Sequence, residues 1–451
     1  MYKTLLLLFA VCLLHIACMA QSTKYVILIS IDGSRPDFYK DDAWGTPVLH
    51  QMKDAGVYAD GVTSVFPSVT YPSHTTMVTG ALPSKHGIYY NELFDLAGLQ
   101  GRWYWYTSAI KTPTLWDAVH KAGLRSAAVS WPVSVGAPID YNVPEIWPLD
   151  SKADKISPIR DNTTPKGLFE EIEQNATGKI TADALNENYL TKDENIARMA
   201  SYILRTYKPN LLAIHLVCVD HYEHAEGRQG AMVKRAVANA DNAIGKILEA
   251  VQMAGIKDST AIIITGDHGF VDIHTTLSPN VWLAAKGLVS KINGKTEYKA
   301  IFHTSGAAAF LHLKDKDDKK TLEQVEAILA GLPPATKKLF RVVKGVELQA
   351  RGADPDVALA LTPIQGINMS SAIDGDELKA AHGGTHGYYP DFKEIQTGFI
   401  GYGPAFNKGM VIPQMGLEDI APIIAQLLNL DFTAPDGVLY PGIFKSSAKA
   451  H

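Results

Sequence analysis

Short runs of apolar, β-branched residues recur along the chain and alternate with longer segments whose apolar residues repeat at helical spacing. Runs that are apolar on both faces are typical of strands in a parallel sheet that helices cover on each side. The alternation therefore predicts an α/β fold with a central, mostly parallel sheet. Strands are expected over residues 25–31, 126–130, 211–219, 261–265 and 398–401. Helices are expected over residues 114–122, 194–206, 230–254, 322–330 and 417–428.

This alternation breaks down between residues 271 and 380, where the charge density rises and short strand patterns such as 307–312 mix with turn residues. Residues 314–320 are all lysine or aspartate, which is typical of a solvated surface turn. We predict that residues 271–380 form a smaller inserted cap. The catalytic α/β core then comprises residues 21–270 and 381–445.

The first twenty residues have the pattern of a secretory signal. Lys3 supplies a positive start, residues 5–14 are an apolar run, and small residues end at Ala20. The run is too short to span a membrane stably, and no later stretch is long and apolar enough for a transmembrane helix. We predict cleavage after Ala20 and export, either to the periplasm or out of the cell. Lipid attachment at Cys18 is the alternative.

Composition narrows the functional classes. A net charge of -5 gives no basic footprint for nucleic-acid binding. Cys12 and Cys18 lie in the predicted signal, so the exported chain would carry Cys218 alone and no internal disulfide. Because Cys218 lies in an apolar run that we interpret as a strand, we expect a buried, unreactive thiol.

Aspartates follow three of the predicted strands, and histidines stand close to two of these aspartates. The carboxyl ends of the strands in an open α/β sheet are where ligands collect, so these side chains are expected to share one site. A further histidine lies in a glycine-rich segment that permits close backbone approach. Aspartate and histidine together suit zinc, and the set is large enough for two ions with three protein ligands each. The six candidate ligands are Asp32, Asp220, His224, Asp267, His268 and His386.

The remaining histidines near these segments are interpreted as ordinary polar residues. Capping or surface roles, or support of a neighbour, account for single histidines in such positions. They are His74, His86, His215, His221 and His382.

A candidate nucleophile lies in the serine- and threonine-rich segment 66–80. Thr70 precedes a proline-started helical turn, so its hydroxyl is expected near a helix N-terminus, where backbone N–H groups favour an anion. A threonine hydroxyl is a weak nucleophile, and coordination to zinc would deprotonate it without a histidine base. Ser68 and Ser73 have the same chemistry, so the residues alone leave three candidates open.

These segments, in this order, resemble the nucleotide pyrophosphatase/phosphodiesterase family of the alkaline phosphatase superfamily. The resemblance covers most of the chain after the predicted signal. It rests on ISIDG at 29–33, TYPSH at 70–74, VTG at 78–80, HGI at 86–88, Asp220 with His224, GDHG at 266–269, THG at 385–387, and EDIAP and LLNL at 418–422 and 427–430.

The resemblance implies a three-layer, alkaline-phosphatase-like fold and assigns roles to residues. Thr70, rather than its serine neighbours, would be the nucleophile and a movable zinc ligand, and it would form a phospho-threonine intermediate that water hydrolyses. Asn91 would donate a hydrogen bond to a non-bridging phosphoryl oxygen. Two zinc sites are implied, one held by Asp220, His224 and His386 and the other by Asp32, Asp267 and His268.

Departures from the family pattern occur at Ser73, where asparagine is common, and at Glu223, where glycine is common before the histidine. Residues 130–134 match a Trp-Pro-Gly segment of the family only in part. None of these changes removes a candidate ligand, but they bear on close substrate contacts.

The resemblance favours a phosphodiesterase or nucleotide pyrophosphatase that acts on a small, nucleotide-type phosphoester. Aromatic side chains are candidates for stacking on a nucleobase, namely Tyr71, Phe94 and Trp103. A phosphomonoesterase stays open because a loop with Lys152, Lys155 and Arg160 could meet the extra substrate charge. A phosphonate hydrolase and a zinc-binding protein without turnover also stay open, although an intact Thr70 argues against a protein without turnover.

Overall fold

A computed structural model describes residues 23–94, 101–150 and 152–445. The predicted signal over residues 1–20, including Cys18, lies outside the described residues. Within the described ranges, no helix combines the length and the hydrophobicity that crossing a membrane requires.

An eight-stranded sheet forms the centre of the structure. In chain order its strands are β1 (Tyr25–Ile31), β2 (Val57–Ala59), β3 (Ser126–Val129), β4 (Tyr141–Val143), β5 (Leu211–Leu216), β6 (Thr260–Thr265), β7 (Phe399–Tyr402) and β8 (Val411–Ile412). Their spatial order is β8-β2-β7-β6-β1-β5-β3-β4, and β7 alone runs antiparallel to its neighbours. The predicted mostly parallel central sheet is confirmed.

Helices cover both faces of this sheet. The helices of seven residues or more in the described ranges are α1 (Pro47–Ala55), α2 (Thr70–Thr79), α3 (Leu115–Lys121), α4 (Tyr189–Tyr207), α5 (Cys218–Glu226), α6 (Ala231–Met253), α7 (Lys319–Ala330) and α8 (Ile420–Leu427). Of these, α7 packs in the region 271–380 and not on the central sheet. Ile27 and Ile29 of β1 pack in one cluster with α1, α4 and α6, whereas Val26 and Leu28 pack in another with α2, α3 and α8. Alternate side chains of one strand thus enter opposite cores, as a strand buried on both faces requires.

One predicted strand extended too far. β5 ends at Leu216, and Cys218 is the first residue of α5 rather than the end of a strand. The carboxylate of the buried Asp193, on α4, accepts hydrogen bonds from the backbone N–H groups of Val217 (2.8 Å) and Cys218 (3.2 Å). This contact satisfies donors that a helix start leaves unpaired. Cys218 is buried as predicted, and burial raises the pKa of its thiol.

Residues 271–380 contain a four-stranded antiparallel sheet formed by Ala300–Ser305, Ala308–Leu313, Phe340–Val343 and Leu359–Pro363. This sheet and α7 share a hydrophobic cluster of their own. α7 starts within the lysine–aspartate run that we predicted as a turn, because Asp318 accepts a hydrogen bond from the backbone N–H of Thr321 (3.0 Å) and caps the helix. The division into core and inserted cap stays a prediction.

Candidate active site

The first set of candidate ligands lies where β5 passes into α5. Asp220 and His224 are four residues apart on α5, with 3.4 Å between Asp220 Oδ1 and His224 Nε2. His386, far along the chain, brings its Nε2 to 3.5 Å from the same oxygen. The three ligand atoms lie within 4.8 Å of one another.

The second set lies at the ends of β1 and β6. His268 Nε2 is 3.4 Å from Asp32 Oδ1 and 3.3 Å from Asp267 Oδ2. These atoms also lie within 4.8 Å of one another. Because β1 and β6 are paired in register up to Ser30 and Thr265, the residues that follow them meet at one edge of the sheet. The structure therefore brings together each triad that the sequence grouped.

Each histidine of the two sets has its ring orientation fixed by a backbone carbonyl. Nδ1 lies 3.0 Å from Gly384 O in His224, 3.1 Å from Gly269 O in His268 and 3.0 Å from Ser68 O in His386. Since Nδ1 donates its proton to the carbonyl, Nε2 of a neutral ring faces the other members of its set and can bind a cation. Burial lowers the pKa of His224, but Asp220 outweighs it and raises the pKa to about 9, so a cation at this set would displace a proton from Nε2 of His224. Burial lowers the pKa of His268 to about 4 and that of His386 to about 3, so both are neutral at pH 7.

Several buried atoms in the sets lack a hydrogen-bond partner among the described residues, and they are Asp32 Oδ1, Asp220 Oδ1, Asp267 Oδ2 and His268 Nε2. Leaving buried polar atoms unpaired costs free energy, and native proteins rarely do so. All of these atoms are metal-ligating types: Asp220 Oδ1 lies in the first ligand set, and the other three lie in the second. The donor set thus fits a pair of divalent cations.

Thr70 is the first residue of α2, so the helix begins two residues before Pro72, where we expected its first turn, and Thr70 lies at the helix N-terminus as predicted. It lines a cavity of about 560 Å³ together with members of both ligand sets. Ser68 and Ser73 are fully buried and engaged elsewhere: Ser68 Oγ donates to Tyr388 O (3.0 Å), and Ser73 Oγ lies 3.1 Å from Ser64 Oγ. Of the three hydroxyls that the sequence left open, the structure places that of Thr70 at the cavity.

Asn91 lines the same cavity. Its Oδ1 accepts a hydrogen bond from the backbone N–H of Tyr71 (2.8 Å), at the start of α2. This contact sets the orientation of the amide, so the NH₂ group is on the opposite side and is available as a donor. The contact of Asn91 with a phosphoryl oxygen stays a prediction.

Only one of the three predicted stacking residues reaches this cavity. Trp103 lines it. The ring of Tyr71 is fully buried edge-on against Trp103 (5.0 Å between centroids), and its hydroxyl donates to Glu145 Oε1 (3.0 Å). Phe94 lines a neighbouring cavity of about 660 Å³ and stacks on His312 (4.1 Å). Tyr71 and Phe94 therefore offer no ring face to a ligand beside Thr70.

Sequence reasoning missed two aromatic residues of the cavity, Trp147 and Tyr189. Trp147 follows β4, a three-residue strand that the apolar pattern did not predict, so the rule that ligands collect at strand carboxyl ends could not be applied to it. Tyr189 starts α4 and stacks on His221 (3.6 Å), and no sequence pattern marked it.

The predicted cationic loop contributes one residue to the cavity. Lys155 lines it, whereas Arg160 pairs with Glu170 (3.2 Å) and Glu173 (3.5 Å) and Lys152 is exposed outside the lining. Lys192 of α4, which sequence reasoning missed, lines it as well.

His215, which we interpreted as an ordinary polar residue, lies inside the site. It is the fifth residue of β5, and it lines the cavity. Nε2 is 3.2 Å from Asp32 Oδ2, and Nδ1 is 3.3 Å from Glu145 Oε2. Burial lowers the pKa of His215, but the hydrogen bonds to Asp32 and Glu145 outweigh it and raise the pKa to about 10. A polar residue within an otherwise apolar buried strand was the signal in the sequence.

His74 also has a supporting position. Its Nδ1 is 2.8 Å from Thr70 O, and its ring packs against those of Trp131 (4.9 Å) and His215 (4.3 Å). His86 bonds Thr76 and lies outside the cavity.

Comparison with known proteins bears on this geometry. The profile of a family described as type I phosphodiesterase / nucleotide pyrophosphatase matches residues 26–389. The chain belongs to this family.

Relatives include the human ectonucleotide pyrophosphatase/phosphodiesterase family member 1, 24% identical over 430 residues, and the mouse member 3, 22% identical over 425 residues. These alignments cover 90% of this chain but 40% and 42% of the relatives. A venom phosphodiesterase 2 of Crotalus adamanteus is 21% identical over 420 residues, or 90% of this chain and 45% of the venom protein. The chain thus spans less than half the length of these curated relatives.

Solved structures agree in fold. Human ectonucleotide pyrophosphatase/phosphodiesterase 5 superposes with a TM-score of 0.66 at 20% identity, covering 92% of this chain and 97% of that one. An inactive threonine-to-alanine variant of the murine protein, in complex with AMP, gives a TM-score of 0.66 at 20% identity, covering 94% and 100%. This likeness confirms the predicted alkaline-phosphatase-like α/β fold.

Proposed function

We propose that this protein is an exported hydrolase that cleaves phosphodiester or phosphoanhydride bonds of nucleotide-type small molecules, with Thr70 as nucleophile and two zinc ions as cofactors. The observation that carries the proposal is the convergence of Thr70, Asn91 and members of both ligand sets on one cavity. Family membership supports the reaction class.

The charge of the cavity supports a requirement for cations. A phosphoester is an anion, and carboxylates outnumber lysines four to two among the described lining residues. They are Asp32, Glu145, Asp150 and Asp220 against Lys155 and Lys192. The pKa of His215 is raised to about 10 and that of His224 to about 9, so these two rings add positive charge and the lining as a whole is close to neutral. Two zinc ions held by the two triads would supply the positive charge that an anionic substrate needs, activate the threonine hydroxyl and stabilise the leaving oxygen.

The protein's own groups then perform the displacement. Thr70 loses its hydroxyl proton to water, and Oγ1 attacks phosphorus in line while the bond to the leaving oxygen breaks. The new Oγ1–P bond is cleaved by water, which releases the phosphoryl group and restores the hydroxyl. The Asn91 NH₂ group, whose amide the Tyr71 N–H orients, and the backbone N–H of Thr70 at the start of α2 would stabilise the equatorial oxygens.

A nucleotide-type substrate is supported by the cavity and by a relative. Trp103, Trp147 and Tyr189 offer aromatic surface at the cavity. The inactive murine relative holds AMP. A phosphomonoesterase is the second candidate, because Lys155 and Lys192 could meet a second negative charge on the substrate.

Export is proposed from the signal-like pattern of residues 1–20, with cleavage after Ala20. The names of the ectonucleotide relatives accord with it. Mass spectrometry of the protein recovered from a cell's envelope and medium would find Gln21 as the first residue; a retained Met1 would contradict it, and acylation of Cys18 would favour lipid attachment.

The reaction is tested by comparing kcat/KM for bis-p-nitrophenyl phosphate and p-nitrophenyl phosphate, with zinc and after chelation. We expect a diester preference, zinc dependence and a loss of at least about 1,000-fold in Thr70→Ala, since the covalent step needs that oxygen. Thr206→Ala, an exposed threonine on α4, is the matched control and should behave as wild type.

Unchanged hydrolysis in Thr70→Ala would overturn the mechanism. A monoester preference would establish the second candidate and direct attention to Lys155 and Lys192. Zinc binding with no activity on either ester would favour a phosphonate hydrolase or a binding protein.

A further inference from the structure

Asp267 and Asp32, two of the three candidate aspartate ligands, differ in how their second carboxylate oxygen is held. Asp267 Oδ1 accepts hydrogen bonds from two backbone N–H groups, those of Gly33 and His268 (both 3.1 Å). Because both donors are backbone groups in the turns after β1 and β6, the conformation of these turns alone fixes the position of Asp267 Oδ1. Asp32 has no such support among the described residues, and its Oδ2 instead meets the side chain of His215 (3.2 Å).

His215 is itself rigidly held. It is 1% exposed, and β5 pairs it in register with Ser30, two residues before Asp32. Its Nδ1 lies 3.2 Å from Ser130 O and 3.3 Å from Glu145 Oε2. With both ring nitrogens engaged, the imidazole cannot flip without losing contacts on either side.

Glu145 continues the chain of hydrogen bonds toward the nucleophile. Its other oxygen, Oε1, accepts from the Tyr71 hydroxyl (3.0 Å), and the Tyr71 backbone N–H donates to Asn91 Oδ1 (2.8 Å). A continuous path therefore connects Asp32 to Glu145 and on to the first turn of α2, where Thr70 lies. Asp32, His215, Glu145 and Asn91 of this path line the cavity, and Tyr71 is buried behind them.

We propose that His215 and Glu145 are positioning residues that hold Asp32 so that Oδ1 alone faces the second ligand set. The inference rests on the proposed function, since it concerns a zinc site. It follows from the geometry: with Oδ2 held by His215, only Oδ1 points at His268 Nε2 (3.4 Å). Groups that orient a ligand in this way affect metal affinity although they do not touch the metal.

Two substitutions of His215 test its contact with Asp32 and its contact with Glu145 separately. The amide nitrogen of glutamine can take the place of Nε2 and still donate to Asp32, whereas that of asparagine takes the place of Nδ1 and reaches only toward Glu145. Zn²⁺ affinity is measured by competition with a chromophoric chelator, bound zinc by metal analysis, and the stability of the metal-free protein by urea unfolding. His86→Asn is the matched control, because His86 is fully buried but outside the site.

We expect His215→Asn to lower the affinity for one of the two zinc ions about 10- to 100-fold, and His215→Gln to retain most of it. Glu145→Gln should weaken zinc binding when His215 is present. In the His215→Gln background it should cause little further loss of zinc affinity, because glutamine there no longer connects residue 145 to Asp32. His86→Asn should lower stability and leave zinc binding unchanged.

Wild-type zinc affinity in both His215 variants would overturn the inference. Equal losses of zinc affinity in the two variants, in proportion to their losses of stability in the metal-free protein, would also overturn the inference. A purely structural role of His215 predicts that result. If the wild-type protein itself bound no zinc, the proposed function would fall together with the inference. If zinc binding changes as expected but no phosphoester is cleaved, the inference stands and the proposed reaction fails.

Discussion

A buried ion pair between Arg35 and Glu223 joins the turn after β1 to α5, and its contribution to the free energy of unfolding can be measured. Arg35 is 1% exposed and Glu223 is fully buried, with 3.3 Å between Arg35 Nε and Glu223 Oε1. Arg35 also donates to Arg228 O (3.1 Å) and lies over the ring of Phe38 (4.6 Å).

Replacing Arg35 with methionine leaves the Glu223 carboxylate buried without its partner. Removing one member of a buried ion pair typically costs about 3–5 kcal/mol. Burial raises the pKa of Glu223, and Arg35 opposes this rise. In the variant the carboxylate can therefore become protonated, which removes the buried charge and with it part of the destabilisation. The loss is therefore expected to be larger at pH 8 than at pH 5.

Urea unfolding of the metal-free protein, with chelator present, measures the change without a contribution from zinc binding. Arg35→Met should lose about 3 kcal/mol or more at pH 8, and the double variant Arg35→Met/Glu223→Gln should recover a substantial part, since no lone charge remains. A loss below about 1 kcal/mol, or no recovery in the double variant, would refute the reasoning that Arg35 compensates the buried charge of Glu223.

Two further predictions follow from the structure. Burial, together with Asp419 and Asp436, raises the pKa of Glu418 from 4.5 to about 7, so ionisation of Glu418 removes stability as pH rises through this interval. Glu418→Gln should therefore be more stable than wild type by about 2 kcal/mol at pH 8 and by much less at pH 4.5, measured as free energies of unfolding. An equal gain at both pH values would contradict this prediction. The same pH dependence in the exposed control Glu249→Gln would also contradict it. Trp103→Ala should lower kcat/KM about 10-fold more for a nucleoside p-nitrophenyl phosphate than for bis-p-nitrophenyl phosphate, because it removes stacking surface from the cavity. Equal losses on the two substrates would exclude Trp103 from contact with the base.

Local patterns located most of the fold. β1 has the bounds that its apolar run predicted, and α6 differs from the predicted helix by one residue at each end. β1 is almost wholly apolar and α6 is long, so the hydrophobic pattern of each predicts its secondary structure without contacts from other elements. The start of α5 was misassigned because Val217 and Val219 suit a strand, and the contact that favours a helix comes from Asp193 on another element.

The candidate ligands were also accessible from local patterns. Aspartates after strands and histidines at helix or turn spacing are local features, and parallel pairing brings strand ends to one edge whatever lies between them. The sequence by itself therefore determined the α/β class, the mostly parallel sheet and the six residues that converge.

Only the tertiary structure decided which other side chains belong to the site. Tyr71 and Trp103 looked equivalent as aromatic residues, yet one ring is buried and the other lines the cavity. His215 looked ordinary until β1 and β5 paired and placed it against Asp32. The physical reason is that side-chain direction and burial depend on packing between elements distant in the chain, and a sequence pattern reports only the spacing within each element.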